Sequence, residues 1–569
     1  ASRIRAKYRM KNTTGYSLNA LLDFDRPVDI LRQLFIGAEG TLGFIAEAVL
    51  DTVPDLPVRC TGLLLYPSIH AACATIPAWR AAGAAALEVM DRAALRSVER
   101  QPGIPREIAG LPDGATGLLV EFQAAEEAAR GDLERIAADT LSPIALLHPA
   151  RFTHDAAQQA RLWKIRAGLF PSVGAVRRSG TTVIIEDVAF PVETLADATV
   201  DLIRLFGRHD YPTAIVFGHA REGNLHFVIT QSFNRQADVD QYARFMDDVV
   251  SLVVDRYDGA LKAEHGTGRN MAPFVEAEWG AHALEIMKRL KALVDPDHLL
   301  NPGVILNDDP RAHLAHLKPL PSVEPEVDTC IECGYCEPHC PTREFTLTPR
   351  QRIVVRREMV RLEASGEDPS TLASLEAGFP WMAVESCVLD GLCATACPVG
   401  IDTGDLARRV RRKAHSPLAQ SAALFAQGRY QEVEALVRTA LRLGHAAARV
   451  LGHGAVTSIT RALSKVTPSP LPLWTAHLPR AARTTRPDTR PDGAAAVYFP
   501  SCISRMMGAM PDEPDDLSLQ DAVVTVAARA GRPVHIPYDV AGTCCGVPFS
   551  SKGFDRAHAA AANDAVERF

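Results

Sequence analysis

Short, mostly apolar strand-like stretches interleave with stretches of helical apolar periodicity between Gly62 and about Val304. The strand-like stretches include GLLLYP, TGLLVEF, TTVIIEDVAF, AIVFGHA and LHFVIT, whereas DVDQYARFMDDVVSLVVDRY has the periodicity of a helix. This alternation predicts an α+β region built on antiparallel sheet. Before it, LFIGAEGTLGFIAEAVLDTVP predicts an apolar strand, a glycine-rich turn and a second strand.

The second half of the chain has a different pattern. A proline-rich joint, LKPLPSVEPEV, precedes a helical region in which two runs of cysteines are embedded. An Ala/Leu-rich helical stretch then leads into a proline-rich linker, and short strands and helices alternate from about Ala494. Because 569 residues are too many for one hydrophobic core, we expect an α+β multidomain protein with three or four domains.

Composition narrows the class of protein. Hydrophobic residues make up 47% and charged residues 23%, as in an ordinary globular protein. The net charge of −7 gives no indication of a nucleic-acid-binding surface. No run of 18 apolar residues occurs, so a spanning helix is not expected and any membrane association would be peripheral. The sequence opens ASRIRAKYRM, without an initiator Met or a signal peptide, and we interpret the chain as an internal fragment.

Ten of the twelve cysteines occur from Cys330 onward, in tight runs that indicate metal sites and a reducing compartment. The first run, CIECGYCEPHCP, has the spacing C-x2-C-x2-C-x3-C-P, which wraps a loop around one iron–sulfur cluster and sends its fourth thiolate to another. The second run, CVLDGLCATACP, repeats this spacing with Asp390 in place of the second cysteine. The predicted ligands are Cys330, Cys333, Cys336, Cys340, Cys387, Cys393 and Cys397.

Three thiolates in the second run suit a [3Fe-4S] centre, or a [4Fe-4S] centre whose fourth iron is bound by Asp390. The pattern resembles the helical two-cluster modules in the iron–sulfur subunits of succinate dehydrogenase and anaerobic glycerol-phosphate dehydrogenase. This resemblance implies an α-helical ferredoxin that carries electrons. By the cross-ligation rule, one [4Fe-4S] cluster is bound by Cys330, Cys333, Cys336 and Cys397, and the other cluster by Cys340, Cys387 and Cys393.

Three further cysteines lie in YFPSCISRMMG and AGTCCGVPFSSKG. Cys502, Cys544 and Cys545 resemble the first half of the CCG domain of heterodisulfide reductase and of lactate and glycolate oxidase subunits. That resemblance implies an incomplete α/β CCG domain in which these cysteines bind iron. The alternative is that they are buried free thiols.

The segment KNTTGYSLNALLDFDRPVDILRQLFIGAEGTLGFI resembles the closing half of a PCMH-type FAD-binding domain of the vanillyl-alcohol-oxidase family, in which a GSEGTLG turn lies against the flavin. Glycines in such a turn let backbone amides approach a cofactor that a Cβ would keep away, although a plain β-turn is the simpler alternative. The first half of such a domain is missing, so we do not expect this chain to hold FAD well by itself. LLNPGVI resembles the segment that returns to the flavin. The residues predicted to contact FAD are Gly37, Glu39, Gly40, Thr41, Gly43 and Asn301.

The stretch FGHAREGNLHFVIT places His219 and His226 seven residues apart. If the EG dipeptide between them forms a two-residue hairpin turn, the histidines oppose each other with Cβ atoms about 4.5–5.5 Å apart, close enough to bind one ion. KAEHGTGRN adds Glu264 and His265, which would point in opposite directions as adjacent strand residues. Two histidines and one carboxylate are typical of a catalytic metal site, whereas simple packing or a structural zinc site are the alternatives.

The motifs GHAxxGNLH and EHG resemble the D-2-hydroxyacid dehydrogenase branch of the FAD-linked oxidases. The resemblance implies that His219, His226 and Glu264 bind a divalent metal, which could be zinc, manganese or iron, and that His265 is the general base. Arg166, in RLWKIRAGLFPSVGAV, matches the arginine that pairs with the substrate carboxylate, a task that suits a bidentate guanidinium. The alternative is a solvated helix arginine.

Two departures from the family pattern bear on the substrate. Relatives that act on hydroxyglutarate have a lysine at the position of Ile185 and a threonine at the position of Phe170. The apolar side chains here argue against a second substrate carboxylate and imply a small apolar tail, such as the methyl group of lactate.

The order of these regions resembles the long bacterial D-lactate dehydrogenases that fuse flavin and iron–sulfur domains. It implies oxidation of D-lactate to pyruvate by hydride transfer to FAD, with electrons passing through the clusters to a quinone or cytochrome. The protein would act in the cytoplasm or peripherally on the inner face of the cell membrane. Alternatives are a D-2-hydroxyglutarate or glycolate dehydrogenase, or a non-catalytic electron-transfer subunit. The expected domains are the C-terminal half of the FAD-binding domain (1–57), the FAD-linked oxidase cap (58–306), the α-helical ferredoxin (307–415), a helical segment with a linker (416–493) and a truncated CCG domain (494–569).

Overall fold

A computed structural model of the chain describes residues 1–99, 104–167, 169, 174, 177–466, 472–511, 513 and 517–569. These residues fall into two compact units. The first unit comprises Ala1–Gly378 and Leu392–Asp402, and the second comprises Phe379–Gly391 and Thr403–Phe569. Within the described part of the chain, no helix is long and apolar enough to cross a membrane.

A seven-stranded sheet forms the centre of the first unit, with the strand order β4-β1-β3-β2-β6-β7-β5. Every neighbouring pair of these strands is antiparallel, which confirms the α+β prediction made from the alternating pattern. The strands are β1 (Val58–Tyr66), β2 (Ala86–Met90), β3 (Thr116–Ala124), β4 (Phe152–Thr153), β5 (Thr182–Ala189), β6 (Ile215–His219) and β7 (Asn224–Gln231).

Both faces of this sheet are covered, because successive strand residues point to opposite sides and most of them are apolar. One face packs against a core that includes Trp79 and Phe245, and the other against a core that includes Leu95 and Ile165. The helix predicted from DVDQYARFMDDVVSLVVDRY is present and continues as a π-helix over Ser251–Arg256. The helices up to this point are α1 (Ser2–Lys7), α2 (Ala20–Asp23), α3 (Pro27–Phe35), α4 (Ile69–Ala74), α5 (Ile76–Ala81), α6 (Arg92–Val98), α7 (Arg130–Leu141), α8 (Ala156–Ala167), α9 (Leu195–Arg208) and α10 (Gln236–Val250).

The segment before the sheet forms a smaller core of its own. Tyr16, Leu34 and Leu42 pack there with side chains from α11 (Val275–Trp279) and α12 (Ala281–Val294). The predicted pair of strands around the glycine-rich turn is wrong. The residues before the turn belong to α3, and those from 44 to 57 have no strand partner among the described residues and expose apolar side chains such as Phe44. A strand needs a neighbour for its backbone hydrogen bonds, and the described residues provide none for this segment.

The first cysteine run lies in turns just before a long helix, the second run surrounds a short helix, and helices make up most of the second unit, in line with the predicted fold class. In the second unit, the two short strands β8 (Ala496–Val497) and β9 (Val534–His535) pair in parallel. A buried ion pair between Glu434 and Arg505, 2.5 Å from Oε1 to Nη2, joins the helix Tyr430–Leu451 to the helix Cys502–Met506. The helices are α13 (Pro349–Ser365), α14 (Pro369–Phe379), α15 (Leu392–Ala396), α16 (Thr403–Lys413), α17 (Pro417–Gly428), α18 (Tyr430–Leu451), α19 (His453–Val466), α20 (Cys502–Met506), α21 (Leu519–Arg529), α22 (Val547–Ser551) and α23 (Asp555–Arg568).

Candidate active site

The two histidines lie on adjacent strands, but not directly opposite each other. Phe217 opposes His226 in the β6–β7 pair, so His219 lies one pleat further along, level with Asn224. The predicted two-residue hairpin turn is therefore wrong: residues 220–222 form a 3-10 turn and Gly223 completes it with a φ of 69°. Diagonal neighbours on one face are still within reach of large side chains. The two imidazole rings meet edge to face, with their centroids 5.4 Å apart.

Each histidine opposes a carboxylate on the next strand of the sheet. Glu88 on β2 is directly across from His219, and Asp187 on β5 is directly across from His226. The Nδ1 atom of His219 lies 2.6 Å from a Glu88 oxygen, and that of His226 lies 3.5 Å from an Asp187 oxygen. Both carboxylates are buried. A carboxylate at Nδ1 orients the ring and leaves Nε2 for a metal, as in many metal sites.

Glu264 and His265 lie on a bend, so the prediction that they are adjacent strand residues is wrong. The backbone N–H groups of Ala263, Glu264 and His265 all donate to one oxygen of Asp187, at 3.0, 2.5 and 2.9 Å. Three donors on one acceptor curl the chain around the carboxylate. As a result, the His265 ring stacks on His226, with the centroids 5.0 Å apart.

The ligand atoms of His219, His226 and Glu264 lie within 4.8 Å of one another. Glu264 Oε2 is 3.5 Å from His219 Nε2 and 3.8 Å from His226 Nε2. Two ligands of a tetrahedral zinc ion lie about 3.4 Å apart, given bonds of about 2.1 Å, so small side-chain movements would close the set around one ion. The other Glu264 oxygen contacts the ammonium of Lys11. These residues therefore fit a divalent metal.

The electrostatics of the pair are asymmetric. The hydrogen bond with Glu88 raises the pKa of His219, although burial opposes this shift. Burial lowers the pKa of His226 to about 4, against the pull of Asp187. Burial would raise the pKa of Asp187, but the N–H groups of Glu264 and His265 lower it below its usual value. His226 is thus a neutral ligand at physiological pH, and Asp187 remains an anion.

Arg166, on α8, joins this network from the side. Its Nε donates to Glu88 at 2.8 Å, and its guanidinium lies 4.4 Å from the centre of the Phe217 ring. The alternative of a solvated helix arginine does not fit, because the side chain is only 18% exposed. Glu88 thereby links Arg166 to His219, while Nη1 and Nη2 of Arg166 donate to no other described residue. Ile185 lies on the same sheet face as His226, partly buried, whereas Phe170 lies outside the described residues.

The glycine-rich turn contacts the EHG bend. The Glu39 carboxylate accepts hydrogen bonds from the backbone N–H groups of Thr267, at 2.7 Å, and Gly268, at 2.9 Å. Asn301 Nδ2 donates to the Glu39 carbonyl oxygen at 2.6 Å. The predicted side-chain contacts of Glu39 and Asn301 with FAD thus compete with these internal bonds, and they stay predictions.

The backbone of this turn fits close approach by a cofactor. Gly37 and Gly40 have φ values of 75° and 72°, and a Cβ added to either would meet no described atom within 4 Å. Thr41 and Gly43 face the protein instead. The Thr41 hydroxyl lies 2.8 Å from that of Tyr16, and a Cβ on Gly43 would lie 2.5 Å from Phe35.

The first cysteine run lies in the first unit with its predicted partner from the second run. Burial raises the pKa of Cys330, and the charge of Cys397 raises it further; the same two causes act on Cys336, whose pKa reaches about 11. Cys397 therefore acts electrostatically on both thiols, which agrees with cross-ligation, and the ligand assignment stays a prediction. Burial makes free thiolates unfavourable, so the group fits a bound iron cluster that stabilises them. Cys333 is exposed on the same loop.

The remaining predicted iron ligands divide between the units. Cys340 and Cys393 belong to the first unit, where Cys340 Sγ lies 3.9 Å from Arg352 Nη2 and Cys393 Sγ lies 3.5 Å from an Asp402 oxygen. Cys387 belongs to the second unit, and its carbonyl oxygen accepts a hydrogen bond from Arg411 at 3.0 Å. Asp390 lies on an exposed loop of that unit, and its role as a ligand stays a prediction.

Cys502 and Cys544 meet in the second unit, beside Tyr430 of α18. The hydrogen bond with Cys544 lowers the pKa of Cys502 to about 6, and the same bond raises the pKa of Cys544. Cys545 is exposed. The sequence did not indicate Tyr430, which comes from the segment interpreted as helix and linker.

Comparison with known proteins places two families on the chain. Residues 56–305 match the family described as FAD linked oxidases, C-terminal domain, and residues 326–401 match the 4Fe-4S dicluster domain. One region of the chain is therefore similar to the C-terminal domain of FAD-linked oxidases and another to 4Fe-4S dicluster domains, which supports the predictions of FAD and iron–sulfur cofactors.

The curated relatives are named for the oxidation of 2-hydroxy acids. Glycolate oxidase subunit GlcD of Bacillus subtilis (strain 168) is 30% identical over 284 residues, which cover 49% of this chain and 58% of the relative. D-2-hydroxyglutarate dehydrogenase of Pantoea ananatis (strain AJ13355) is 27% identical over 455 residues, 68% of this chain and 44% of the relative. D-lactate dehydrogenase of Anaerostipes hadrus is 27% identical over 303 residues, 52% of this chain and 59% of the relative. The chain thus spans about half the length of these relatives.

Among solved structures, 4-ethylphenol oxidase from Gulosibacter chungangensis aligns with 45% of this chain and 55% of its own. The sequence identity is 13% and the TM-score is 0.33, which is too weak a likeness to support an inference.

Proposed function

We propose that this chain is the catalytic part of a dehydrogenase that oxidises a small D-2-hydroxy acid, D-lactate above all, and passes the electrons to iron–sulfur clusters. The observation that carries the proposal is the convergence of His219, His226, Glu264 and His265, with a buried carboxylate behind each of the first two. The names of the relatives support the substrate class, since they refer to glycolate, D-2-hydroxyglutarate and D-lactate.

Each side chain has a task in this reaction. A divalent metal bound to His219, His226 and Glu264 would supply a Lewis acid at the substrate hydroxyl, and FAD would supply the acceptor for the hydride from Cα. His265 takes the hydroxyl proton, a step typically worth about 10²–10⁴-fold. Arg166 holds the substrate carboxylate with its Nη groups, while its Nε stays on Glu88.

The wall of the site favours a small substrate. Ile185 adds an apolar side chain to the sheet face that carries His226. A second carboxylate on the substrate would lose its water there without gaining a cation, and such a loss is expensive. This argument favours the methyl group of lactate over the longer acidic tail of hydroxyglutarate, and glycolate remains the second candidate because it has no tail.

The iron–sulfur domain supports transfer of single electrons to an external acceptor. A quinone or a cytochrome fits this role, with the protein in the cytoplasm or peripherally on the inner face of the membrane. Binding of nucleic acid has no part in the proposal. The domain boundaries at residues 57, 306, 415 and 493 are also part of this proposal.

The test is substrate-driven reduction. The protein is expressed from its complete reading frame, purified without oxygen and mixed separately with D-lactate, L-lactate, glycolate and D-2-hydroxyglutarate. We expect D-lactate to bleach the flavin first and to reduce the clusters afterwards. Replacement of His265 by alanine should abolish bleaching, while His282→Ala, an exposed histidine on α12, should leave it unchanged.

The alternatives give different results. Bleaching by D-2-hydroxyglutarate or glycolate alone would reassign the substrate within the same chemistry. Bleaching by none of the four acids would refute the hydroxy-acid proposal and leave an electron-transfer subunit.

A further inference from the structure

Two buried arginines converge on the loop that carries Cys330. Arg357 Nη2 donates to the carbonyl oxygens of Asp328 and Cys330, at 2.9 and 3.0 Å. Arg177 Nη2 donates to the same two oxygens, at 3.1 Å for Cys330. Arg357 is 2% exposed and Arg177 is 8% exposed. Two guanidinium groups therefore share one pair of carbonyls in the interior.

This arrangement leaves positive charge in excess. Arg357 Nη1 donates to Glu332 at 2.7 Å, and the other Glu332 oxygen already accepts from Lys318. Among the described residues, Glu332 is the one carboxylate that bonds to either arginine, and it is shared with Lys318. Burial and the charge of Arg357 both lower the pKa of Arg177, which reflects the cost of placing like charges together.

Unsatisfied donors point in the same direction. The Nε–H groups of Arg177 and Arg357 are buried and have no hydrogen-bond partner among the described residues. A buried donor without a partner costs about 1–3 kcal/mol, so two of them beside a cysteine loop indicate that an anion completes the site. A four-iron cluster with four thiolate ligands is such an anion, and the residues fit it.

The arrangement also recurs at the second cysteine run. In the second unit, Arg411 Nη2 donates to the carbonyl oxygens of Val384 and Cys387, at 2.5 and 3.0 Å, and its Nε–H is again buried without a partner in the described chain. Arg357 and Arg411 thus hold the first cysteine of each run in the same way. No second arginine of the described residues donates to these carbonyls, whereas Arg177 at the first run comes from residues 56–305, which match the oxidase family.

The oxidase domain therefore reaches the first cluster loop directly. A Cβ added to Gly174 would lie 2.2 Å from Ile331 Cγ2, so the loop packs closely on Gly174. We propose that Arg177 and Arg357 form a cationic clamp that raises the reduction potential of the cluster bound by Cys330, Cys333, Cys336 and Cys397. The clamp makes this cluster the favoured first acceptor of electrons from the oxidase domain. The proposal rests on the proposed function, because the cluster needs an electron donor.

The physical basis is the charge that the cluster gains. Reduction adds one negative charge, and a buried cation nearby stabilises the reduced form more than the oxidised one. Removing the Arg177 charge should lower the equilibrium constant for reduction about tenfold, which is about 59 mV for a one-electron couple. Removing the negative charge of Glu332 should change it in the opposite direction by a similar factor.

Redox titration with dyes and dithionite, followed by electron paramagnetic resonance of the anaerobically purified protein, measures this potential without substrate. We expect Arg177→Gln to lower the potential and Glu332→Gln to raise it. Arg177→Lys keeps the charge and should stay within about threefold of the parent protein. Arg356→Gln is the matched control, since this neighbour on α13 pairs with Glu324 at 3.0 Å and should change the constant less than twofold.

Shifts of the same sign in Arg177→Gln and Glu332→Gln, or no shift in either, would overturn the clamp. If the Arg177→Gln protein does not retain the cluster, the Glu332→Gln protein alone tests the proposal. In that case only a raised reduction potential of its cluster agrees with the clamp. Failure of every hydroxy acid to bleach the flavin is a separate result that would refute the dehydrogenase and leave these potentials interpretable.

Discussion

Replacing Asp187 with asparagine should weaken metal binding and the fold together, because this carboxylate supports both. Its Oδ2 accepts hydrogen bonds from three successive backbone N–H groups, those of residues 263 to 265. Its Oδ1 accepts from Asn224 Nδ2 at 2.5 Å and lies 3.5 Å from His226 Nδ1. One side chain thus holds the bend that carries Glu264 and orients the ring that provides a second ligand.

The magnitude follows from the charge on the acceptor. A hydrogen bond to a charged group contributes about 1.5–3 kcal/mol and a neutral one about 0.5–1.5 kcal/mol. Asparagine keeps one carbonyl oxygen as an acceptor, but this oxygen is neutral. Each of the three hydrogen bonds that the N–H groups of residues 263 to 265 donate should therefore weaken by about 1 kcal/mol. The free energy of unfolding should fall by about 3 kcal/mol in total. Its amino group would also face the amino group of Asn224. Loss of a carboxylate behind a metal-binding histidine typically lowers metal affinity about 10–100-fold.

Two measurements separate these effects. Urea unfolding gives the change in stability, and titration with zinc or manganese gives the change in affinity. Glu121→Gln is the matched control, because this buried carboxylate on β3 also accepts three hydrogen bonds. Its donors are the side chains of Thr61, Gln123 and Trp163. The control should be destabilised by a similar amount and bind metal normally. Equal metal affinity in Asp187→Asn and Glu121→Gln would refute the role assigned to Asp187.

Three further predictions concern substrate, pH and iron. Ile185→Lys should raise kcat/KM for D-2-hydroxyglutarate relative to D-lactate by about tenfold or more, measured by flavin bleaching, because a cation then faces the second carboxylate; unchanged selectivity would show that the tail binds elsewhere. The raised pKa of His219 means that protons compete with metal, so affinity in titrations should fall about tenfold per pH unit below that pKa. In the metal-free protein, its pairing with Glu88 stabilises the fold fully below about pH 6.5 and is lost as pH rises through the raised pKa, which pH-dependent unfolding can check. Cys397→Ser should remove the electron paramagnetic resonance signal of the first cluster, whereas Cys60→Ser, a buried thiol of β1, should leave it intact.

The sequence predicted the residues that belong to local motifs. His219, His226, Glu264 and His265 all come from two short stretches, and the structure brings their side chains together. The α+β fold with antiparallel sheet followed from the short apolar strand-like stretches that interleave with helical ones. The hairpin connection was not predicted correctly. It has four residues and not two, because residues 220–222 form a 3-10 turn that Gly223 completes with a positive φ.

Glu88 and Asp187 escaped the sequence analysis for a different reason. Neither belongs to a motif with its histidine, and each is matched to it only by the pairing of β2 with β6 and of β5 with β7. Their one visible signal is an acidic residue inside an apolar strand, in ALEVM and in IIEDVAF. Burying a charge in a strand costs free energy unless the charge is paired. An acidic residue inside an apolar strand therefore predicts a cationic or hydrogen-bonding partner, although the sequence does not identify that partner.

The two carboxylates also explain why the site sits where it does in the sheet. β2, β6, β7 and β5 are adjacent in the strand order, so four neighbouring strands place a row of Glu88, His219, His226 and Asp187 across one face. In this row, each outer anion orients the inner imidazole beside it, and the two free Nε2 atoms point toward the same oxygen of Glu264. A shift of one residue in any of these pairings would turn a ligand to the opposite face. The proposed metal site therefore depends on the register of these four strands, which is why substitutions that disturb β2 or β5 should affect metal affinity even when they touch neither histidine.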